Sequence, residues 1–481
     1  MFYRLKERYL LRGWEKLPCT VADRRTGRIL FISGIGMEAL KLCNGKIDLD
    51  LPFLSGEVRE MIPKLVSEGI IEPCARGEAI RPEQSYRLYP NRYIRSVHWS
   101  VTGRCNYRCR HCYMSAPDAK YGELPHETIL KIVEELADCG VMSVSLTGGE
   151  PLVRKDFPDI VDALLDRGIG IHTIYSNGAL ISEKFLEQLA DRKIRPEINM
   201  SFDGVGWHDW LRGVDGAEEA VDRAFRLCRE YGFPTGAEMC IHRKNQHTLR
   251  ESILHLRDVG CRSLKTIPVS DVGAWHANGQ GESVSMEELF RLYLDYLPEY
   301  YEDGMPLSVM LGGFFSADPE NPEEYDIPLY HFPQDPEKHC VCAHARLIMY
   351  ISPEGRALPC MSLSGMDIQD RFPLIPEIGL RKCLTDSFYM DFINTRSAKI
   401  LEHNPQCREC AFAGWCHGGC RASGLEGSGQ KDLYAADPAA CLLFKGGWAK
   451  KIMRVMKEIR PEAVSPALAD GELRKLIFVS E

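Results

Sequence analysis

The stretch Cys105-Asn106-Tyr107-Arg108-Cys109-Arg110-His111-Cys112-Tyr113 decides how this chain is read. Three thiolates at CxxxCxxC spacing are soft ligands able to hold three irons of a cubane [4Fe–4S] cluster. The fourth iron has no cysteine from this loop, so it stays open to an outside ligand and to chemistry beyond electron storage. Just upstream, Ile94-Arg95-Ser96-Val97-His98-Trp99-Ser100-Val101 reads as a strand, and a helix is expected from about Pro125. The cysteines therefore fall on a loop at the carboxyl end of a first strand, where α/β barrels place their active sites. Three close thiols also suit a zinc site or buried core cysteines, and this stretch alone leaves those readings open.

Working outward, strand and helix alternate six times between about 94 and 300. The later strands are expected at 141–146, 169–175, 197–202, 235–242 and 262–269, each followed by an amphipathic segment of helix length. Repeated strand–helix units with short loops predict a parallel sheet. Gly148-Gly149-Glu150-Pro151 ends the second strand. Its glycines allow a ligand close to the backbone, and Glu150 offers an acceptor for a cationic amine. Tyr175-Ser176-Asn177-Gly178 ends the third strand and Ser201-Phe202-Asp203-Gly204 the fourth. Both bring short polar side chains to the same rim, suited to a ribose and a carboxylate, although turn formation alone also explains them.

A second cysteine array lies near the carboxyl end. Cys342 is followed after twelve residues by Gly355, and Gly355 after four by Cys360. Cys407, Cys410, Cys416 and Cys420 follow with two, five and three residues between them, then twenty more to Cys441. Cys340 precedes Cys342 by two positions. Structural zinc sites would use similar ligands. Eight of the nineteen cysteines lie outside both arrays, such as Cys139 and Cys228, and read as small core residues.

Together these motifs resemble the radical S-adenosylmethionine (radical SAM) superfamily. His111 stands where that family usually has an aromatic residue. The resemblance implies a partial (β/α)6 barrel with Cys105, Cys109 and Cys112 on the catalytic cluster. It further implies that Gly148, Gly149, Glu150 and Pro151 hold the amino group of S-adenosylmethionine. Ser176, Asn177, Ser201 and Asp203 correspond to cofactor-binding rim positions, with Arg212 able to pair with the cofactor carboxylate. The seven-cysteine order resembles the SPASM extension, which carries two auxiliary [4Fe–4S] clusters and brings the total to three. By that resemblance Cys407, Cys410, Cys416 and Cys441 hold the distal cluster, and Cys342, Cys360 and Cys420 the nearer one. Cys340 is the candidate fourth ligand of the nearer cluster. A ligated Cys340 closes that cluster, which is the favoured expectation, and a free Cys340 leaves an iron open to a substrate thiolate. In anaerobic sulfatase-maturing relatives an acidic base follows the cysteine corresponding to Cys360; here that place is Met361, which takes no proton.

The fold class expected is α/β: a partial (β/α)6 TIM-like barrel at 91–300 between a small α+β domain at 1–90 and a cysteine-rich SPASM domain at 340–460. In the first domain, Arg24-Arg25-Thr26-Gly27 reads as a hairpin turn between 19–23 and 28–32. Helical patterns at 36–43 and 57–68 follow, then a short strand at 69–73. This layout is similar to the winged-helix recognition element by which peptide-maturing enzymes hold a leader peptide, and it equally suits a packing domain. Residues 301–339, which include Gly312-Gly313-Phe314-Phe315 and Asp326-Ile327-Pro328-Leu329-Tyr330-His331, show no period. They are expected as a substrate-facing connection or a linker. Residues 461–481 are expected as a polar tail.

The chain has 481 residues, 44% hydrophobic and 26% charged, with a net charge of -9. That balance argues against nucleic acid or an anionic membrane as a bulk electrostatic partner. No apolar run approaches a membrane span, and the charged start lacks the look of a secretory signal. Nineteen cysteines without a signal point to metal rather than disulfides, in a cytoplasmic enzyme. The expected function is maturation of a ribosomally made precursor peptide by a 5′-deoxyadenosyl radical, leaving a thioether or carbon–carbon crosslink. A leader-bearing peptide and a flavodoxin- or ferredoxin-type electron donor are the expected partners. Formylglycine formation, small-molecule dehydrogenation and a passive electron-transfer scaffold are the alternatives. The scaffold has no use for Gly148-Gly149-Glu150-Pro151.

Overall fold

The computed structural model describes residues 1–24, 27–52, 54–114, 116, 120–270, 273–279, 281–328, 333–466 and 471–478. Six parallel strands form its centre: β7 (Ser96–Ser100), β8 (Ser143–Thr147), β9 (Gly170–Ser176), β10 (Glu197–Ser201), β11 (Thr235–Ile241) and β12 (Ser263–Pro268). Each pairs with the next in sequence order, and β7 does not meet β12, so the barrel is open. Along β7, Val97 and Trp99 are buried in the main core while His98 lies on the other face. The period of two that separates these faces is what places polar groups inside the barrel. The crossover helices His126–Asp138, Phe157–Asp166 and Ala217–Glu230 bury one apolar stripe each.

The open barrel is extended on both sides. Beyond β12, the strands β13 (Ser308–Leu311), β14 (Phe315–Ala317) and β15 (Tyr325–Asp326) continue the sheet. This corrects the reading of 301–339 as a connection. Gly312 and Gly313 both take positive φ, +56° and +76°, as a tight hairpin between two short strands requires. Strands of two to four residues are too short to show a period, and the Gly-Gly pair was their one sequence signal. Of the stretch 326–331, Leu329, Tyr330 and His331 lie outside the described residues. On the other side, β16 (Ile348–Ile351) pairs parallel with β7, and β17 (Ala357–Leu358) pairs with β16. The cysteine-rich region is therefore hydrogen-bonded into the barrel sheet.

The first domain has its own four-stranded sheet in the order β4-β3-β2-β6, from β2 (Tyr9–Glu15), β3 (Leu17–Asp23), β4 (Ile29–Phe31) and β6 (Arg87–Arg92). The pairing of β3 with β4 is the expected hairpin, though Arg25 and Thr26 of its turn lie outside the described residues. The helices Gly34–Leu42 and Gly56–Ser67 follow, each capped by a serine, and β5 (Ile71–Pro73) pairs with β1 (Tyr3–Leu5). Sequence reading missed β1, β2 and β6. Because β6 pairs with β2, the boundary expected at 90 would cut a strand, and the domain runs to Arg92. Pro90 hides β6 in the sequence; it is tolerated because β6 is an edge strand. This domain seats against the barrel through the fully buried Trp14, whose Nε1 donates to Cys139 O at 3.1 Å, beside Tyr89 and Tyr93.

The expected polar tail needs correction too. Gly471–Phe478 is a helix, and its Leu473 and Ile477 belong to the main core. Four residues apart, they form one apolar stripe too short for a periodicity to register. Among the described residues no helix is long and apolar enough to cross a membrane.

Candidate active site and cysteine array

Beyond Ser100 at the end of β7, the chain turns into the cysteine loop, which is tied to the glycine loop by backbone hydrogen bonds. Gly149 N donates to Thr102 O and Glu150 N to Arg104 O, both at 2.9 Å. A Cβ on Gly149 would lie 2.2 Å from Arg104 O. The glycine is thus required by the approach of the two loops, and not only by that of a ligand. Each of the three sulfurs accepts an N–H. Tyr107 N reaches Cys105 at 3.3 Å, Ala116 N reaches Cys112 at 3.3 Å, and Arg212 Nη1 reaches Cys109 at 3.7 Å. Such donors favour sulfur carrying negative charge. Burial pushes the Cys105 thiol up to about 12, with Cys109 and Cys112 close enough to add to the rise. A bound metal reverses that balance by displacing the protons. Three convergent sulfurs with N–H donors fit a three-cysteine iron–sulfur cluster.

Glu150 is wholly buried, and among the described residues its carboxylate has only neutral hydrogen-bond partners. It accepts from Asn177 N at 2.8 Å, from Leu152 N at 3.1 Å and from Ser176 Oγ at 3.1 Å. Burial pushes it up to about 7 in spite of these bonds. A buried carboxylate without a countercation is a site for a cationic amine, which fits the ammonium of S-adenosylmethionine. Asn177 Nδ2 donates to Asn106 Oδ1 at 2.8 Å and so links the third strand to the cysteine loop. Pro151 begins a short turn of helix behind Glu150, and Ser201 ends β10, half-buried at the rim.

Asp203 and Arg212 are placed differently from the other rim residues. Arg212 Nε donates to Asp203 Oδ2 at 2.6 Å, and Cys240 N donates to Asp203 Oδ1 at 3.0 Å. Burial opposes the charge on Asp203, but Arg212 and His208 hold its carboxyl well below the usual range. The pair joins the end of β10 to Cys109, so both carboxylate oxygens of Asp203 already have protein partners. His111 lies nearby with Asp203 and Cys240, its Nδ1 buried.

Inside the barrel, sequence reading missed a polar lining. His98 stacks on Tyr175 at 4.8 Å, Tyr350 meets Ser100 Oγ at 2.8 Å, and Lys265 Nζ lies 3.3 Å from Glu238 Oε1. Burial lowers His98 to about 4, so it is neutral at pH 7. The available signal was a polar residue at every second strand position, as in Ser143 and Ser145.

In the carboxyl-terminal array, Cys407, Cys410, Cys416 and Cys441 line one apolar cavity with Phe412 and Phe444. Four thiols around an apolar hollow are a donor set that fits one cubane. Cys342, Cys360 and Cys420 form a second group: beyond the effect of burial, Cys360 and Cys420 push the Cys342 thiol up, and Cys420 pushes up that of Cys360. Cys340 has partners of its own: Arg346 Nη1 and Arg396 Nη1 each lie 3.1 Å from its sulfur. In extended chain, neighbours two apart share a face. Two guanidiniums thus hold Cys340, which also lies close enough to Cys342 to add to the rise in that thiol's pKa.

Two supporting residues escaped sequence reading. Buried Asp437 accepts from Cys420 N at 2.9 Å and caps the Pro438–Phe444 helix that carries Cys441, so it ties the two cysteine groups together. Buried Arg421 donates to Leu433 O and Ala435 O and to Gly418 O, closing the loop beneath both groups. The Asp-Pro step before a helix was the legible cue for Asp437.

Residues 99–256 match the Radical SAM superfamily. The chain is 28% identical over 348 residues to a PqqA peptide cyclase of Granulibacter bethesdensis, covering 71% of this chain and 86% of that protein. It is 24% identical over 399 residues to the Fe-coproporphyrin III synthase of Methanosarcina barkeri, covering 78% and 96%. Its fold is similar to that of Streptococcus suis SuiB bound to precursor peptide SuiA, with a TM-score of 0.62 at 16% identity over 92% of this chain and 100% of that one.

Proposed function

We propose that this radical SAM enzyme installs a crosslink, a thioether or a carbon–carbon bond, in a ribosomally synthesised precursor peptide. The observation that carries the reaction class is the buried Glu150, without a cation against it among the described residues and tied directly to the three-cysteine loop. When bound, S-adenosylmethionine on a cluster held by Cys105, Cys109 and Cys112 supplies a 5′-deoxyadenosyl radical that takes a hydrogen atom from the substrate. Glu150 would hold the ammonium, Ser176 and Asn177 would orient Glu150, and the Asp203–Arg212 pair would hold Cys109 in place. Neutral His98, Tyr175 and the Glu238–Lys265 pair give the substrate segment polar walls. Support for a peptide substrate comes from the likeness to a PqqA peptide cyclase and to SuiB with its precursor. The test is anaerobic incubation with any short precursor peptide that a neighbouring reading frame encodes. A crosslink removes two hydrogens and keeps every other atom, whereas formylglycine made from cysteine loses the sulfur.

The likeness to Fe-coproporphyrin III synthase favours a second reading, a small-molecule substrate. Substrate-dependent release of 5′-deoxyadenosine with the peptide, and none with candidate small molecules, separates the two.

The first domain would hold the leader. β4 is the edge of its sheet, with Phe31 74% exposed and Leu30 and Ile35 beside it on the surface. An extended peptide can add to such an edge by backbone hydrogen bonds, with side chains against the apolar surface. Phe31→Asp should weaken precursor binding by about tenfold, the loss of roughly one buried aromatic contact, and leave peptide-independent cleavage of S-adenosylmethionine unchanged. Equal precursor affinity in the variant would remove this role from β4.

For the auxiliary groups, the proposal is a distal cluster on Cys407, Cys410, Cys416 and Cys441 and a nearer one on Cys342, Cys360 and Cys420. Because Cys340 faces two arginines, Cys340→Ala should keep its iron and crosslink at a rate within about twofold of the parent. Loss of a third of the iron would restore Cys340 as a ligand.

A further inference from the structure

The cysteine loop carries cations that the reaction leaves unused. Arg104, Arg108 and Arg110 interleave with Cys105 and Cys109, and no acidic residue falls between Val101 and Ala116. All three arginines are exposed. Arg104 pairs with Glu123, whereas among the described residues Arg108 and Arg110 have no carboxylate partner. Arg110 is fixed by Trp210: its Nε donates to Trp210 O at 2.9 Å, and its guanidinium lies 5.0 Å from the indole centroid. Lys244, which pairs with Glu282 at 3.2 Å, approaches the same indole at 5.5 Å and Trp207 at 5.8 Å, so among the described residues the free cations of this surface are Arg108 and Arg110. The nearby Asp209 is spent on the backbone N–H groups of Gly216 and Glu218, and Glu218 on that of Gly206. A cationic surface with two partly exposed indoles therefore borders the cysteine loop, on a chain whose net charge is -9.

Resting on the one-electron chemistry proposed above, we propose that the surface of Arg108, Arg110, Lys244, Trp207 and Trp210 docks a small acidic flavin-bearing electron carrier. Reductive cleavage consumes one electron per event, and no group in this chain generates one, so the electron must arrive from outside. At this surface the reduced flavin gives up one electron, the three-cysteine centre gains one, and no bond is made or broken between the proteins. The arginines meet the acidic rim of the carrier and raise its encounter rate. The indoles offer a flat apolar face to an exposed flavin edge.

The test uses reconstituted full-length protein, an acidic flavodoxin, and the double variant Arg108→Glu with Arg110→Glu. Association is followed by titration at low and high salt, apart from turnover. The double variant should bind flavodoxin at least about tenfold more weakly at low salt and lose the salt dependence. With a small-molecule reductant it should release 5′-deoxyadenosine as the parent does. Arg108 makes no side-chain hydrogen bond or ion pair among the described residues, so Arg108→Glu alone gives a milder loss without disturbing the fold. Undiminished affinity in both variants overturns the docking site. Equally tight binding of a flavin-free acidic ferredoxin, or tighter binding of an RNA oligonucleotide, overturns the flavin-carrier assignment. Failure of the parent to release 5′-deoxyadenosine with chemical reductant would strike the reaction reading instead, and the binding comparison would stand apart from it.

Discussion

Replacing Cys105, Cys109 and Cys112 together by alanine is expected to abolish release of 5′-deoxyadenosine while leaving about two thirds of the iron in the protein. A parent that holds the three proposed four-iron centres should carry about twelve irons after anaerobic reconstitution. The loss is selective because the three sulfurs sit on a single loop beyond β7, whereas the other cysteines are held by the region after residue 340 through Asp437 and Arg421. Iron and zinc analysis with cluster spectroscopy reads the result. About four irons in the parent, or stoichiometric zinc, would remove the auxiliary assignment. Residual cleavage in the triple variant would remove the catalytic one.

Glu150→Gln should separate binding from folding. If Glu150 holds the ammonium as proposed, losing its charge should reduce S-adenosylmethionine cleavage at least about a hundredfold, the worth of a buried charged hydrogen bond. Stability should move the other way. Burial raises the Glu150 pKa from its ordinary 4.5 to about 7, so between those values the folded protein binds more protons than the unfolded chain. Its contribution is therefore fully present below about pH 4.5 and is lost as pH rises through 7. Without cofactor, the glutamine variant should be more stable than the parent at pH 8, by up to about 3 kcal/mol, and equal to it near pH 4.5. Thermal melts at both pH values decide this. A parent that is the more stable at pH 8 would mean that a cation already sits against Glu150.

Sequence made the barrel and the cysteine arrays legible for a shared reason. Both are local patterns: six runs of apolar residues separated by helix-length segments, and ligands at fixed spacing along the chain. What escaped depended on contacts between distant segments. β2 holds Gly13 and the buried Arg12, poor strand signals that make sense only because Arg12 donates to Ser85 O and Glu83 O from across the domain. Cys340 and Cys342 read alike as ligands, and only the folded chain brings Arg346 and Arg396 to the Cys340 sulfur. Asp203 and Arg212 each read as a cofactor contact, because nothing in a sequence states that the two are bonded to each other.

The parallel pairing of β16 with β7 has a consequence for how the molecule is made. Ser96 to Trp99 leave the ribosome long before Ile348 to Ile351, their partners on that side. Until those residues emerge, the nascent barrel carries an open edge of unpaired backbone groups along a strand whose Val97 and Trp99 are strongly apolar. Strand pairing between such remote segments is slow, and the waiting edge invites pairing with other chains. A fragment ending before residue 348 should therefore aggregate however complete its six strand–helix units are. Iron loading at the cysteine loop, which springs from the end of that same strand, would best follow completion of the edge, so the order of synthesis sets the order of assembly.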